Sequence, residues 1–539
     1  MLVDPLDLFL KDLRDKTALD RTILNHLLHQ SFEGEDERSE PEADLILHPD
    51  PDGATVRAGL GRYPFRDVQK AYANLSALAR ESVPFLSARR CRHFFASIAP
   101  QLLRALADTP DPDEALNNLE RVSASLGAKA VLWELFSANP ATLKLYVELC
   151  AGSPFLSGLL INNPGMVDEL LDSLVLDQPR TASELRTELA ELLRGATDPD
   201  PIFHSFQDKE FLRIGVGDLL GKAEVLATTA ALSDVADTIL GEIVARVEPA
   251  VSAKFGKPRC PFALVGLGKL GGREISYHSD LDLLLVYAED GTTDTGEAHQ
   301  LYFTELAQRA IRTASAMGPM GRLYAVDMRL RPTGKSGSLV LPLSEFNRYF
   351  TGPACQLWER MALTRARVVC GEPEFALAAR DAMRAAALGR EWCPAIVEEA
   401  RAMRAKLEAT APPRSLKRAA GGLVDVEFAV QVLQLKHGRE RPEVLEPNVW
   451  AALDALEAAG ALSAEHAAPL RDGYTFLRGV EARLRIVTDR PLTELPEAPD
   501  DLAKLARRLG YGDPVAFLKA LAETTARVRA AHAAVLAGP

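Results

Sequence analysis

One segment in the middle of the chain, residues 266–287, reads GLGKLGGREISYHSDLDLLLVY. A Gly-Gly pair is followed by Asp280 and Asp282, which open an apolar run with the composition of a buried strand. Residues i and i+2 of a strand point to one face, so the two carboxylates converge. Two carboxylates held so near each other repel unless a cation neutralises them. A pair of hard oxygen ligands suits Mg²⁺. The segment therefore predicts a cation and phosphate site.

A third carboxylate is expected on a neighbouring strand. The apolar run Leu323–Leu330 predicts a strand that carries Asp327. The stretch around it is basic, although the whole chain has a formal net charge of -13. Arginine forks suit phosphate oxygens, so these basic side chains indicate a polyphosphate. They are Arg322, Arg329, Arg331 and Lys335.

Two other phosphate-binding motifs are considered and rejected. Gly266, Gly268 and Gly271 match the dinucleotide fingerprint, but too few residues separate Gly272 from the next strand to hold a crossover helix. Gly334-Lys335-Ser336 resembles the end of a P-loop, but Arg329 stands where its first glycine is required. The Gly-Gly turn with its Asp-x-Asp pair remains the preferred interpretation.

Composition narrows the class of protein. The chain has 539 residues, of which 47% are hydrophobic and 25% charged, as in an ordinary globular protein of several domains. The acidic balance disfavours a general nucleic-acid binder. Cysteines are few and scattered, there is no basic stretch ahead of an apolar segment at the N-terminus, and no apolar run is long enough to span a membrane. We expect a cytoplasmic protein without nucleic-acid or membrane partners.

The pattern along the chain predicts an α+β protein that is predominantly helical. Residues 1–61 are expected to form a helix, over 1–30, and an exposed acidic linker, over 31–61. Residues 62–255 are expected to form a helical region. A mixed sheet is expected within 261–342, with strands at Phe262–Val265, Leu281–Tyr287, Leu323–Leu330 and Ser338–Leu341 and a helix over 297–317. The catalytic domain is placed at 256–390 and a helical bundle at 391–539.

Four blocks in order resemble the glutamine synthetase adenylyltransferase family (glutamate–ammonia-ligase adenylyltransferase). They are residues 266–287, then LYAVDMRLRPTGKSGSLV from 323, LWERMALTRARVV from 357 and GGLVDVEF from 421. The resemblance implies a nucleotidyltransferase core like that of DNA polymerase β. It also implies transfer of AMP from ATP to a tyrosine of glutamine synthetase, with the PII signalling protein and glutamine as regulators.

Family members usually contain two catalytic halves, one that removes AMP and one that adds it. This chain has one Gly-Gly and Asp-x-Asp block, and Tyr277 and the Arg365-Ala-Arg run look more like the adenylylating half. Residues 1–30 look like the tail of a first half that is lost or separately encoded. Phosphorolytic removal of AMP, or transfer to another acceptor, stays open as the alternative function.

The resemblance also assigns roles to residues. Asp280, Asp282 and Asp327 would hold Mg²⁺ and the ATP phosphates, and Asp327 would help deprotonate the attacking tyrosine. The phosphate path would be lined by Gly271, Gly272 and Ser279. Weaker phosphate-binding candidates are Lys269, Arg273, Arg329, Arg331 and Lys335.

Overall fold

The computed structural model describes residues 40–48, 50–81, 86–125, 127–166, 179–332, 334 and 337–537. It is predominantly helical, and the described residues include one five-stranded mixed sheet. The predicted fold class, a small mixed sheet within helical regions, is confirmed. The helix expected within residues 1–30 lies outside the described residues.

The described residues before the sheet are mostly helical, as predicted. Asn139 caps one of them, since its side chain accepts a hydrogen bond from the backbone N–H of Thr142. A short 3₁₀ helix covers Pro164–Met166. The α-helices are Pro41–Leu47, Gly53–Leu60, Val68–Leu78, Ala88–Ala107, Pro112–Ser125, Lys129–Ala138, Pro140–Gly152, Pro154–Asn162, Ala182–Leu192, Asp200–Leu219 and Val225–Phe255.

The exposed linker predicted over 31–61 is wrong for its second half. Residues 41–47 and 53–60 are helical, and Leu45, Ile46 and Leu60 are buried. Acidic and proline residues dominate the local composition, but a few apolar side chains are enough to pack Pro41–Leu47 against the helix Ala88–Ala107, and Gly53–Leu60 against Pro41–Leu47 and Val68–Leu78. Tertiary burial overrides the local polarity here.

The sheet consists of β1 (Phe262–Leu267), β2 (Leu281–Tyr287), β3 (Val326–Asp327), β4 (Val340–Pro342) and β5 (Arg367–Gly371). Strand order is β3-β2-β1-β5, with β4 also paired to β2. The pairs β1–β2 and β1–β5 are antiparallel, whereas β2 pairs in parallel with both β3 and β4. A helix, His299–Ser315, connects β2 to β3.

Two strands differ from the predictions. The run Leu323–Leu330 forms only the two-residue strand β3, because the chain turns away directly after Asp327. Strand β5 was not predicted, since the last strand expected from the sequence was Ser338–Leu341. Its Val368-Val369 pair favours a strand, but five residues between helices carry too little periodicity to be distinguished from a buried helical segment.

Both faces of the sheet are covered. Side chains alternate along the central strands, so Leu264 and Leu285 pack into the core of the preceding helical region. Val265 and Leu284 pack on the opposite side, against helices that follow the sheet. This double coverage explains why β2 reads as an almost continuous apolar run in which Asp282 stands out.

The described chain after β4 is mostly helical apart from β5, with a separate core in its C-terminal part. No single helix among the described residues is long and apolar enough to cross a membrane; Pro140–Gly152 and Pro154–Asn162 pass that test only as a pair bent by 112°. The later α-helices are Leu343–Thr351, Leu357–Leu363, Pro373–Ala387, Pro394–Ala409, Leu423–His437, Val449–Ala458, Ala464–Thr488, Pro499–Arg508 and Pro514–Ala537, with a 3₁₀ turn at Pro442–Val444.

Candidate active site

The connection between β1 and β2 contains the Gly-Gly turn. The chain leaves β1 through a one-turn helix, Gly268–Gly271, whose first residue has φ +53°. A Cβ atom at Gly268 would lie 2.5 Å from an Asp282 carboxylate oxygen. Only glycine combines this backbone conformation with such a close approach. The turn therefore brings backbone directly against the second carboxylate of the Asp-x-Asp pair.

The three predicted carboxylates lie at one end of β2 and β3. Asp282 is the direct partner of Asp327 in the parallel pairing of the two strands. Burial, with the negative charges of Asp327 and Asp280 adding to its effect, raises the pKa of Asp282 to about 6. The negative charges of Asp327 and Asp280 therefore act on Asp282, as expected where carboxylates cluster.

Asp327 is engaged by its near neighbour Arg329. The backbone N–H of Arg329 donates to Asp327 Oδ1 at 2.8 Å, and its Nε donates to Oδ2 at 2.6 Å. Among the described residues, no three His, Cys, Asp or Glu side chains stand as they are in an arrangement that could hold a metal ion. The metal site at Asp280, Asp282 and Asp327 thus stays a prediction, and it requires Arg329 to release Asp327.

The predicted phosphate-binding cations are mostly engaged elsewhere. Lys269 Nζ lies 2.8 Å from Glu481 Oε1, and Arg273 makes an ion pair with Asp234 at 2.7 Å. Arg331 donates to the backbone oxygens of Met328 and Gly337. Lys335 lies outside the described residues. Arg329 is exposed beside the carboxylates, so it is the cation of this set best placed to meet a substrate.

Gly271 and Gly272 have a packing role that the sequence does not reveal. A Cβ at Gly271 would lie 1.8 Å from the backbone oxygen of Arg365, just ahead of β5. A Cβ at Gly272 would meet the Arg365 guanidinium at 2.5 Å and Glu274 Oε1 at 2.8 Å. Close packing against backbone alone is sufficient to require glycine at 271, whereas the nearest atoms at 272 are ends of side chains. The contact of both glycines with phosphate stays a prediction.

Ser279 is buried next to the carboxylates. Its Oγ accepts hydrogen bonds from the backbone N–H of Ser276 at 2.9 Å and from Arg485 NH1 at 3.1 Å. Arg485 belongs to the helix Ala464–Thr488, about 200 residues further along the chain. The hydroxyl thus helps to shape the loop, and its predicted place on the phosphate path remains a prediction.

Several residues near the carboxylates were not predicted from the sequence. Lys417 and Arg365 each contribute positive charge that opposes the rise in the pKa of Asp282. Arg365 is buried and pairs with Glu274 Oε2 at 2.8 Å. The blocks at 357–369 and 421–428 indicated these regions of the chain, but no spacing rule assigned their side chains to the site.

An open cavity of about 450 Å³ borders Asp280 on the side of the preceding helices. Its walls include the aromatic side chains of Phe155, Phe211 and Tyr324. Asp208 also lines it and accepts a hydrogen bond from Asn163 Nδ2 at 2.8 Å. Burial raises the pKa of Asp208 to about 6.

This shift predicts a pH-dependent stability. The folded protein binds the Asp208 proton more tightly than the unfolded chain, so the contribution of this group to stability is greatest below about pH 4 and is lost as pH rises through about 6. We expect Asp208→Asn to raise the free energy of unfolding by about 2 kcal/mol at pH 8 and to be neutral at pH 4. Urea unfolding at both pH values measures it. The exposed Asp472→Asn provides the charge control, and equal effects at both pH values would refute the assignment.

The Gly-Gly turn, the strand-borne carboxylates and the five-stranded mixed sheet define a nucleotidyltransferase-type core. Comparison with known proteins agrees with this class. Residues 143–382 match the model of glutamate-ammonia ligase adenylyltransferase, and residues 395–536 match that of GlnD PII-uridylyltransferase. Residues 143–382 therefore carry a glutamate-ammonia ligase adenylyltransferase domain.

Individual relatives agree with this. The bifunctional glutamine synthetase adenylyltransferase/adenylyl-removing enzyme of Thioalkalivibrio sulfidiphilus is 32% identical over 466 residues, covering 81% of this chain and 48% of the relative. The enzyme of the same name from Xanthobacter autotrophicus is 32% identical over 502 residues, covering 90% of this chain and 50% of the relative. The chain spans about half the length of the curated relatives it matches.

Proposed function

We propose that this chain transfers AMP from ATP to a tyrosine of glutamine synthetase and so regulates nitrogen assimilation. The observation that carries the proposal is the direct pairing of Asp282 with Asp327 beside the Gly-Gly turn. An Asp-x-Asp pair with a third carboxylate across a parallel strand is suited to divalent-cation-assisted transfer of a phosphate group. The family supplies the substrate, since relatives that share this half of their length are named for action on glutamine synthetase.

The donor set fits Mg²⁺, which prefers hard oxygen ligands and binds together with substrate phosphates. Asp280, Asp282 and Asp327 are the residues that would hold it. The raised pKa of Asp282 marks negative charge that its surroundings leave insufficiently compensated, which is the condition that a cation would relieve. When bound, Mg²⁺ would neutralise charge on the triphosphate and on the leaving pyrophosphate.

The chain's own residues have separate roles in this proposal. Asp327 would accept the proton of the attacking tyrosine, because a phenol of pKa about 10 is a weak nucleophile at neutral pH. Arg329, on leaving Asp327, would bind a phosphate oxygen with the fork that now binds the carboxylate. The short turn at Gly268 would keep backbone close to Asp282 and limit water at that edge.

The proposal extends to partners and location. We propose that glutamine and the PII signalling protein regulate the reaction, and that it takes place in the cytoplasm. The reverse reaction, in which phosphate releases AMP from the modified synthetase as ADP, uses the same carboxylates and is the alternative direction.

The direction is tested with radiolabelled ATP, Mg²⁺ and purified unmodified glutamine synthetase. We expect label on the synthetase and slow or no release of ADP when modified synthetase is given phosphate. Omission of Mg²⁺ with added EDTA should abolish labelling. Release of ADP without labelling of the unmodified synthetase would reverse the direction, and activity in neither assay would remove glutamine synthetase as the substrate.

A further inference from the structure

One face of the helix Ala464–Thr488 lies against the connection between β1 and β2. Tyr474, Arg478, Glu481 and Arg485 follow one another at spacings of four, three and four residues, which places them on one side of a helix. All four side chains are buried, although three of them are charged. Buried charges of this kind are retained only where they are paired and hydrogen-bonded.

The first half of this face holds Glu274, two residues after the Gly-Gly pair. Tyr474 donates its hydroxyl hydrogen to Glu274 Oε2 at 2.5 Å, and Arg478 donates to the Glu274 backbone oxygen. The same carboxylate pairs with Arg365 at 2.8 Å and accepts the backbone N–H of Val449 at 2.6 Å. Glu274 is thereby held from several elements at once.

The second half holds the two ends of the connection. Glu481 pairs with Lys269 at 2.8 Å and with Arg485 at 2.9 Å. Arg485 NH1 donates to the Tyr277 backbone oxygen at 3.2 Å and to Ser279 Oγ at 3.1 Å, next to Asp280. These contacts bind the helix to the loop immediately ahead of the carboxylate pair.

The connection needs such support from outside. Arg273 and His278 adopt φ values of +53° and +55°, in the left-handed region that side chains other than glycine disfavour. Each costs about 1 kcal/mol and persists only where the surroundings hold it. The second of these residues lies between Tyr277 and Ser279, the two residues that Arg485 contacts.

Arg485 cannot double as a phosphate ligand in this arrangement. Its Nε donates to the Leu492 backbone oxygen at 3.2 Å, NH1 serves Tyr277 and Ser279, and NH2 faces Glu481. The side chain is only 6% exposed. The Arg485 guanidinium is already bonded to groups within the protein. Arg485 therefore acts on the reaction through the loop.

We propose that Arg485 is a positioning residue for the transfer reaction: it fixes residues 277–279 and thereby the direction of the Asp280 and Asp282 carboxylates. The C-terminal helical region then forms part of the active site. The inference deepens the proposed function, on which its kinetic test rests, while its structural test does not depend on that function.

The structural test is hydrogen exchange on the full chain. In the wild type, backbone N–H groups of this loop are bonded, as in Ser279 to Ser276 and Leu281 to Ala325. We expect Arg485→Gln to speed exchange in residues 274–281 by about tenfold or more, with other parts of the sheet unchanged. The matched control is Arg490→Gln, which replaces an exposed arginine just after the helix Ala464–Thr488. It should leave exchange as in the wild type.

The kinetic test uses labelled ATP and unmodified synthetase. We expect Arg485→Gln to lower kcat about 100-fold with KM for ATP within about twofold, since misplaced groups reduce rate without reducing ground-state binding. Arg485→Lys, which keeps the charge facing Glu481, should recover part of kcat and protects the test against a variant that does not fold.

Three results would overturn the proposal. The first is unchanged exchange in residues 274–281, and the second is wild-type kcat per folded molecule in both variants. The third is a raised KM for ATP at normal kcat, which would make Arg485 a substrate-binding residue. If the wild type transfers no AMP, the proposed function fails while the exchange result still decides the position of the loop.

Discussion

Asp282→Asn should lower the rate of AMP transfer on the order of a thousand-fold and leave the fold intact. The change removes one full negative charge with little change of shape from a cluster that would hold Mg²⁺ and a triphosphate. Loss of one such ligand costs about 4 kcal/mol of transition-state stabilisation. Single-turnover labelling at saturating ATP and Mg²⁺ measures it. Asp280→Asn should act in the same direction.

Stability should change in the opposite sense. In the metal-free protein, burial and the charges of Asp327 and Asp280 make the ionised Asp282 carboxylate unfavourable, and an amide relieves this. We expect Asp282→Asn to raise the free energy of unfolding by about 1–2 kcal/mol at pH 8 in the presence of EDTA. Asp472→Asn, exposed on the helix Ala464–Thr488, should alter neither rate nor stability. Near-normal transfer by Asp282→Asn would exclude this carboxylate from the chemistry.

Gly271→Ala should destabilise the protein by about 3 kcal/mol or more. The new methyl group would lie 1.8 Å from the backbone oxygen of Arg365 and 2.6 Å from that of Gly266. Neither oxygen can rotate away as a side chain could, so the turn or β5 must move. Urea unfolding of the full chain measures the loss, and transfer activity should fall with it.

Gly241→Ala is the matched control. Gly241 lies in the helix Val225–Phe255, and nothing lies within 4 Å of the Cβ that the substitution would add. There alanine should stabilise by about 0.5–1 kcal/mol through its higher helix propensity. Should Gly271→Ala unfold like the wild type yet lose transfer activity, the glycine would serve phosphate approach and not the packing of the turn.

Motif spacing was enough to predict the central strands of the fold. The apolar runs at Phe262–Val265 and after Asp280, with the Gly-Gly turn between them, were sufficient to predict β1, β2 and the clustering of acidic residues, because these features are local. The same reasoning overextended β3 and missed β5. Short strands owe their existence to partners across the sheet, which a single run of residues does not reveal.

The predicted phosphate-binding cations show most clearly what local sequence cannot predict. Lys269, Arg273 and Arg329 were all predicted to bind phosphate, since each is basic and close to the motif. The structure pairs the first with Glu481 and the second with Asp234, and leaves Arg329 beside Asp327. A pairing between residues 269 and 481 has no signature in local sequence.

The sequence by itself determined the chemical character of the candidate site: three carboxylates, a turn that only glycine can form so tightly, and a strand buried on both faces. It also carried the resemblance to the adenylyltransferase family, because four specific blocks occur in order. Only the tertiary structure decided what supports that site. Buried partners such as Arg365, Glu481 and Arg485 come from distant parts of the chain. They are brought to the turn by the packing of helices whose own patterns encode burial but not the identity of the neighbour.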